Sequence, residues 1–381
     1  MNFMIPTLTR LSRIGLASIL SVAVLGGLPI SVTRADAGSA PALRDGEHDF
    51  DFNVGTWRTH ITRIVDPLEG GTHSFEMNGT VTVRPLWHGR AQLEEIEADG
   101  PKGHWEGMTL FLYNPAAHQW NQIFTDSASG MMTSPLIGEL RDGRIVLYSA
   151  DTLAGRAILV RGVWSNILPD AHRYEESYSA DGGATWKPAF RGELTRLAPG
   201  GTGETAPAST EVVSHDFDFD LGLWKTHSRR LMHPLSGSHP QSDASQWSEM
   251  NGVTTVRPVW GGKANIAEFE ADGPKGHLEL LALRLYDPKA RQWNVNFATS
   301  QVGILNAAGD TSGVPSIGSF RNGRIAFYDQ EPFNGRAIWV RFEIYPLSPT
   351  TARSEQAFSD DNGQTWETNW INEYTLVTRT P

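Results

Sequence analysis

Hydrophobic and polar residues alternate over short stretches of this chain, and turn-forming residues separate the stretches. The segment 80–83 reads Thr-Val-Thr-Val, and the segments 108–113 and 144–148 are bounded by Asn114-Pro115 and Asp142-Gly143. A period of two is typical of strands with one buried face, and Asp-Gly pairs favour tight hairpins because both residues tolerate positive φ. No stretch keeps a helical period. The pattern predicts an all-β, antiparallel fold, either a closed barrel or a sandwich.

The pattern occurs twice. Each copy opens with His-Asp-Phe-Asp-Phe and Gly-x-Trp, and the run 97–104 recurs letter for letter as 270–277. This period is far above the roughly 20 to 50 residues of solenoid repeats, so each copy is expected to fold around its own core. The sequence leaves open whether the two copies move independently or dock. The predicted organisation is a signal peptide (1–37), a lead segment (38–47), a first barrel (48–197), a flexible Gly/Pro/Ser/Thr-rich linker (198–214) and a second barrel (215–381).

The N-terminal sequence predicts export. Arg10 and Arg13 precede an apolar stretch over 14–32, and small residues follow up to Ala37, where cleavage is expected. An uncleaved membrane anchor is the alternative, against which Gly26, Gly27 and Pro29 inside the stretch argue. No later segment is apolar over a length that would cross a bilayer. The mature protein is therefore expected to be soluble, in the periplasm or secreted.

Composition narrows the partners. The chain has no cysteine and a formal net charge of −11, and removal of residues 1–37 takes away three arginines and one aspartate, which makes the charge −13. An acidic chain without a Lys/Arg cluster disfavours a nucleic acid or an anionic membrane as partner. Strand alternation turns His48 away from Asp49 and Asp51, so no metal site is predicted. We expect no cofactor, because no phosphate-binding glycine loop or hydrolase motif is present.

These motifs resemble a known family. The opening 48–52, the Gly55-x-Trp57 pair and the closing segment 179–186 are similar to the bacterial DUF1579 family, a lipocalin-like group of unassigned function. The likeness extends over both copies nearly end to end. It implies two tandem antiparallel lipocalin-like β-barrels of the calycin type, and it implies no reaction. The first copy departs from the pattern at its end, with Ala189-Phe190 where the second has Asn369-Trp370.

Two shorter motifs are interpreted as structural. Gly-x-Trp resembles the first-strand signature of lipocalins, in which the tryptophan closes one end of the barrel. Ser179-x-Asp181 and its counterpart at Ser359 resemble the Asp-box, a hairpin in which the serine and aspartate bond the backbone amides of the turn. Neither motif predicts a reaction.

Charged and aromatic groups at matching positions of the two copies are the candidates for a ligand site. If they point into the barrel they must pair, since an unpaired interior charge is costly. Such Arg–Glu pairs would either clamp the fold or bind a ligand's polar head, with aromatic side chains holding its apolar body. The predicted ligand-binding residues are Trp57, His60, Arg63, Glu97, Arg161 and Glu175 in the first copy, and Trp224, His227, Arg230, Glu270, Arg341 and Glu355 in the second.

The favoured function is therefore binding of a small, largely apolar molecule in a barrel cavity. One alternative is a cavity enzyme, an isomerase, lyase or hydrolase, that uses His60 or His227 with a carboxylate. Another is a structural or interaction module whose barrels are filled by their own side chains. The copies differ in that Trp105 and Trp164 correspond to Leu278 and Ile344, and the second copy has an insertion over 238–244. Two binding barrels should prefer different ligands, and a decayed one should be filled. The sequence leaves the oligomeric state open.

Overall fold

The structure, a computed structural model, describes residues 44–71, 73–198, 215–236, 247–274, 276–308 and 311–379. The predicted signal peptide, most of the lead segment and linker, and the insertion over 238–244 lie outside the described residues. Within the described ranges, the helical segments are single short turns, and none is long and apolar enough to cross a membrane.

Ten antiparallel strands close into a barrel in the first copy. Consecutive strands are neighbours, and the last strand pairs with the first, so this sheet has no free edge. The strands are β1 (Gly55–Ile64), β2 (Ser74–Leu86), β3 (Ala91–Gly100), β4 (Gly103–Asn114), β5 (Gln119–Asp126), β6 (Leu136–Arg141), β7 (Arg144–Leu153), β8 (Arg156–Ser165), β9 (Ala171–Ser179) and β10 (Lys187–Arg196).

The second copy forms a barrel of the same order. The prediction of two tandem antiparallel barrels is confirmed, and the sandwich alternative is wrong. The strands are β11 (Gly222–Leu231), β12 (Trp247–Val259), β13 (Ala264–Gly273), β14 (Gly276–Asp287), β15 (Gln292–Thr299), β18 (Ser316–Arg321), β19 (Arg324–Phe333), β20 (Arg336–Ser348), β21 (Thr351–Ser359) and β22 (Glu367–Thr378), with a small separate hairpin of β16 (Ala307–Ala308) and β17 (Thr311–Ser312) between β15 and β18.

A short turn and a tryptophan close one end of each barrel. In the first barrel Trp57 is fully buried, and its indole Nε1 donates to the carbonyl of Asn53, 2.8 Å away, at the end of a 3₁₀ turn. Trp224 makes the matching bond to the carbonyl of Asp220 at 2.8 Å. The guanidinium of Arg196 lies 3.9 Å from the centre of the Trp57 ring. These contacts fix which residues of β1 and β11 point inward.

The two barrels pack on one another through a second apolar core. The outer faces of β3, β4 and β5 meet those of β13, β14 and β15, so these strands are buried on both sides. Double burial explains why the segment 108–113 is apolar at every position except Thr109 and does not alternate. The core includes Leu93, Met108, Leu110 and Leu112 from the first barrel and Ile266, Leu281, Leu283 and Leu285 from the second.

Polar contacts around this core repeat with two-fold character. The buried Glu279 side chain pairs with Arg90, and the matching Glu106 pairs with Lys263 at 3.1 Å. In the same way Asn121 donates through Nδ2 to the Gly303 carbonyl at 2.9 Å, and Asn294 donates to the Gly130 carbonyl at 2.6 Å. Each barrel thus presents the same patch to the other, which is an isologous interface.

Glycine is required at the centre of these contacts. Gly130 and Gly303 have φ of 61° and 64°, and a β-carbon at either position would lie 2.0 Å or 1.7 Å from the carbonyl oxygen of Tyr286 or Tyr113. A larger residue would push the barrels apart. The question of docking or independent motion is thereby answered for the described residues, which form one compact unit within 44–381.

Candidate functional site

The second barrel encloses a cavity of about 290 Å³. It lies among inward-facing side chains of the strands and reaches the segment after β15. This volume is at the lower end of the range typical of small-molecule sites, about 300 to 1,000 Å³. The lining residues are Asp220, Arg230, Thr254, Ala267, Phe269, Leu278, Leu280, Ala282, Arg284, Phe297, Ala298, Thr299, Val302, Ile304, Ala307, Glu331, Phe342, Gln356, Trp370, Asn372 and Tyr374.

One wall of the cavity is apolar. Phe269, Leu280 and Phe297 face it from β13, β14 and β15, and the Phe342 ring packs edge-on against Phe297 with centroids 5.5 Å apart. Ala282 and its neighbour Ala267 on β13 are small, so they leave space beside these phenylalanine rings. A wall of this kind suits the hydrocarbon part of a ligand, because burial of apolar surface is the main source of its affinity.

The opposite wall is polar and hydrogen-bonded. Trp370 donates through Nε1 to the Ser228 hydroxyl at 2.8 Å, and Asn372 donates to the Ser354 hydroxyl at 3.0 Å. The Ser354 oxygen also lies 2.9 Å from the Tyr374 hydroxyl. Burial raises the pKa of Tyr374 to about 12, so this hydroxyl keeps its proton. The network holds these side chains in place.

An ion pair forms the floor of the cavity next to the tryptophan plug. The side chains of Arg284 and Asp220 are only 4% and 3% exposed and contact each other directly. Arg284 also donates to Asn265 Oδ1 at 3.1 Å, and its guanidinium lies 4.6 Å from the centre of the Phe217 ring. Its Nε is buried and has no hydrogen-bond partner among the described residues. A buried pair of this kind carries a large desolvation cost.

Charged groups also flank the far end of the cavity. The Arg230 guanidinium lies 4.7 Å from the centre of the Trp370 ring, and much of the Arg230 side chain is exposed. Desolvation and then the nearby Asp329 carboxylate raise the pKa of Glu331 to about 7, against the opposing attraction of Arg230. Asp329 accepts a hydrogen bond from the Ser316 hydroxyl, and burial raises its own pKa. Glu331 is therefore partly protonated at neutral pH.

The first barrel is filled where the second is open. The indole of Trp164 is buried, donates to Gln122 Oε1 at 2.8 Å and packs on Tyr174 with ring centroids 4.8 Å apart. The corresponding positions of the second barrel hold the smaller Ile344 and Ser354. This matches the filled barrel that the sequence analysis considered for a copy without a site.

Glu94 and His172 are ionisable groups buried inside the first barrel. Desolvation raises the pKa of Glu94 to about 7, while bonds from Thr109 and Asn53 oppose that rise. Desolvation, with a smaller effect of Arg196, lowers the pKa of His172 to about 3, and neither ring nitrogen of His172 has a partner among the described residues. Both groups are therefore neutral inside this barrel at slightly acid pH.

The predicted histidines do not line either interior. His60 is exposed on the outer face and bonds Asn78 at 2.8 Å, and His227 makes the matching bond to Asn251 at 3.0 Å. Because Trp57 points inward, the period of two turns a residue three positions later outward. The expectation that these histidines line the barrel is corrected, and the cavity-enzyme alternative loses its base.

The expected inner Arg–Glu pairs also lie outside. Arg161 stacks on Trp186 at 4.4 Å, and Glu175 pairs instead with Arg191 at 3.0 Å. The equivalents in the second barrel behave alike, with Arg341 on Trp366 at 4.7 Å and Glu355 paired to Arg353 at 2.6 Å. Glu97 and Glu270 are exposed on the outer face, whereas Arg63 is on the same face of β1 as Trp57 and is exposed near the far end of that strand.

Of the twelve predicted residues, Arg230 alone lines the cavity, while Trp57 and Trp224 close the barrel ends. Asp220, Arg284 and Tyr374 also line the cavity but were not among the predicted residues. A signal for Arg284 was present, since it is a charged residue within the apolar run 280–286, and its counterpart in the first copy is Phe111.

The hairpins that resemble an Asp-box lie apart from the cavity lining. In the first copy Asp181 accepts a hydrogen bond from the Thr185 amide at 2.9 Å, and the Ser179 hydroxyl accepts one from the Gly183 amide at 2.8 Å. These bonds, chiefly from Thr185, lower the pKa of Asp181 to about 2. Their role is to fix the turn between β9 and β10.

Comparison with protein families finds a match over the first barrel. Residues 47–196 match the family model described as "Protein of unknown function (DUF1579)", which confirms the resemblance found in the sequence for this copy. No curated protein matches the chain.

Solved structures with similar chains were also found. One is described as EF1p2_mFAP2b bound to DFHBI, with 13% identity and a TM-score of 0.23, covering 40% of this chain and 98% of the other. Another is a protein of unknown function from the DUF3598 family of Nostoc punctiforme, with 7% identity and a TM-score of 0.24, covering 88% and 100%. A third is a mutant of transferrin binding protein B from Haemophilus parasuis, with 8% identity and a TM-score of 0.18, covering 84% and 76%. At these TM-scores no property of those proteins is transferred to this chain.

Proposed function

We propose that this chain, whose first barrel matches the DUF1579 family, is an exported binding protein that holds one small, largely apolar molecule in its second barrel. The observation that carries the proposal is the cavity of about 290 Å³ with an apolar wall on one side and a hydrogen-bonded wall on the other. Pockets that hold small molecules have this composition, with a few fixed polar groups among apolar side chains. The charged start and apolar stretch of the N-terminus support export.

The first barrel supports the second in this proposal. Its interior is occupied by aromatic side chains such as Trp164, and its outer face forms half of the interface with the second barrel. The two barrels thus divide the work, one as scaffold and one as container. No acid–base pair built on His60 or His227 is available to the cavity, because both lie on the outer face.

Native mass spectrometry of the protein purified from its own host tests the proposal. A bound molecule in stoichiometric amount is expected, and organic extraction would identify its class. The variant Ala282→Trp places an indole in the cavity, so the bound molecule should be lost. Val253→Trp adds the same side chain on the exposed outer face of β12 and is the matched control, which should retain it.

Two results would contradict the proposal. A wild-type protein that carries no molecule and does not bind the fluorescent probe 1-anilinonaphthalene-8-sulfonate would mean that the cavity is not a binding site. A molecule retained equally by both variants would be bound elsewhere on the chain.

A further inference from the structure

The floor of the cavity differs between the two barrels in a coupled way. Where the second barrel has Asp220 and Arg284, the first has Asn53 and Phe111 at the matching positions. Phe111 and Arg284 also occupy the same place in their barrels. The Phe111 ring packs on the plug residue Phe50 with centroids 4.8 Å apart, and the Arg284 guanidinium lies 4.6 Å above the corresponding Phe217 ring.

The first barrel shows that the ion pair is not needed to close this end. Its plug tryptophan is as deeply buried as that of the second barrel, and both donate to the backbone carbonyl at the end of the turn at 2.8 Å. A neutral amide and a phenyl ring complete the closure there. A buried ion pair is usually no more stabilising than well-packed apolar residues of similar size. Closure of the barrel end therefore does not explain why the second barrel has the Asp220–Arg284 ion pair.

The donors of Arg284 indicate that reason. A guanidinium has five N–H donors, and the contacts to Asp220 and Asn265 both use Nη1. The Nε group is buried without a partner among the described residues, although a buried donor left unbonded is costly. The Nη2 group is not enclosed in this way and also has no hydrogen-bond partner among the described residues, and Arg284 lines the cavity, so a molecule in the cavity can accept a hydrogen bond from Nη2.

We infer that Arg284 binds a carbonyl or carboxylate oxygen of the ligand at the floor of the cavity. Asp220 holds the guanidinium in place and offsets its charge, and the apolar body of the ligand then lies along Phe269, Leu280 and Phe297. The inference rests on the proposed function and specifies the chemical class of the ligand. The ligand is a small apolar molecule with an oxygen acceptor at the end that lies at the cavity floor.

Arg230 is the competing position for such a group. It lies six residues after Trp224 on β11, about 20 Å along the strand at about 3.3 Å per residue. Although desolvation lowers the pKa of Arg230, its side chain is partly exposed, so water competes for its donors. Arg284 is buried, so its bond to an acceptor is the stronger one.

The double variant Asp220→Asn/Arg284→Phe tests this, since it installs the pair that the first barrel already uses. The probes are decanoate, methyl decanoate and decane, each measured by displacement of 1-anilinonaphthalene-8-sulfonate. The ratio of variant to wild-type Kd should rise about 10- to 100-fold for the two oxygen-bearing probes, the effect of a lost bond to a charged group. For decane the ratio should stay near one. A larger loss for decanoate than for its ester would assign the site to carboxylates.

The outcomes separate the two proposals. An equal loss for all three probes would overturn the role of Arg284 and leave the binding function standing. Failure of the wild type to bind any of the probes would overturn both.

A measurement on the wild-type protein covers the case in which the variant does not fold. Decanoate labelled with ¹³C at the carboxyl carbon, or at the terminal methyl, is bound, and a soluble gadolinium chelate is added. Gadolinium should increase the relaxation rate of the carboxyl signal less than that of the methyl signal, because the carboxyl group lies at the cavity floor, away from the exposed Arg230 end. Faster relaxation of the carboxyl signal would place that group at the Arg230 end and overturn the inference.

Discussion

The two barrels have the same strand order and the same tryptophan plug, yet one is packed with its own side chains and the other holds a cavity. The difference comes from a few inward-facing positions. Trp164 and Tyr174 of the first barrel become Ile344 and Ser354 in the second, so two aromatic rings are removed from the same region. The barrel wall itself tolerates this loss because its strands are joined by backbone hydrogen bonds.

Some of the lost volume returns elsewhere. Gly107 and Gly162 of the first barrel correspond to Leu280 and Phe342, which line the cavity of the second. Phe342 lies two residues from Ile344 on the same strand, so part of the bulk has shifted along that strand. The cavity is therefore a rearranged core with a defined apolar wall. Interior volume differs in its distribution between the two barrels, while the register of the strands is the same.

The largest effect is expected from emptying the first barrel. Trp164→Ile installs the residue of the second barrel, removes the ring contacts to Tyr174 and ends the bond to Gln122. Because the surrounding aromatic side chains cannot collapse fully, the free energy of unfolding should fall by about 3–5 kcal/mol. Urea denaturation measures this. Ile344→Val, the control in the second barrel, should cost about 1 kcal/mol. Equal small losses would mean that the first barrel is not tightly packed.

The next effect concerns the contact between the barrels. Glu106→Gln removes the partner carboxylate of Lys263, whose side chain is 10% exposed. Loss of one member of a buried pair should lower the free energy of unfolding by about 3 kcal/mol. Glu279→Gln is the equivalent change in the second barrel, and its smaller cost is expected because Arg90 is 29% exposed and can be hydrated. Denaturation in urea compares them, and a larger loss for Glu279→Gln would reverse this ranking.

A smaller, pH-dependent effect distinguishes Glu94 from Ala267, its counterpart in the open barrel. The pKa of Glu94 is raised to about 7, so the folded state holds a proton that the unfolded state releases near pH 4.5. Stability from this group is present below about pH 4.5 and is lost as the pH rises to about 7. The loss is on the order of 2–3 kcal/mol. In thermal unfolding from pH 4 to 8, Glu94→Gln should lack this component. An unchanged difference between variant and wild type across the range would contradict the raised pKa.

The smallest effect comes from partly filling the second barrel. Ala267→Leu adds apolar volume beside Phe269 in the cavity, and the free energy of unfolding should rise by about 1 kcal/mol. The same change should weaken binding of 1-anilinonaphthalene-8-sulfonate in a fluorescence titration. Ala326→Leu, on the outward face of β19, is the control and should change neither quantity. Destabilisation by Ala267→Leu would mean that the cavity walls cannot accept the side chain.

The barrels could be predicted from the sequence, and most of the site could not. The barrels were predictable because their signals are local: alternating residues, Asp-Gly turns and the duplicated Gly-x-Trp motif. These signals can be read without knowing which strands pack together. The direction of a side chain such as His60 depends on which face of the strand Trp57 occupies. The prediction that His60 points into the barrel was therefore wrong. The doubly buried run over 108–113 also gave no hint that its outer face belongs to an interface.

Charged residues shared by the two copies did not predict the cavity lining, apart from Arg230. Arg161 and Arg341 match because both barrels keep the same outer surface, where each stacks on a tryptophan. Most of the cavity lining lies at positions at which the copies differ, such as Phe111 and Arg284, while Arg230 and Phe297 match Arg63 and Phe124. Differences between the copies locate the site, and the identities locate the common scaffold.

The isologous interface has a consequence for how this molecule can change. In an assembly of two identical chains, every substitution appears on both sides of the symmetry axis, so a charged pair like Asp220–Arg284 would have to be accepted in both interiors at once. Here both halves lie on one continuous chain. Each half can therefore mutate alone, and a scaffold that keeps its symmetry on the outside is free to specialise one of its two interiors.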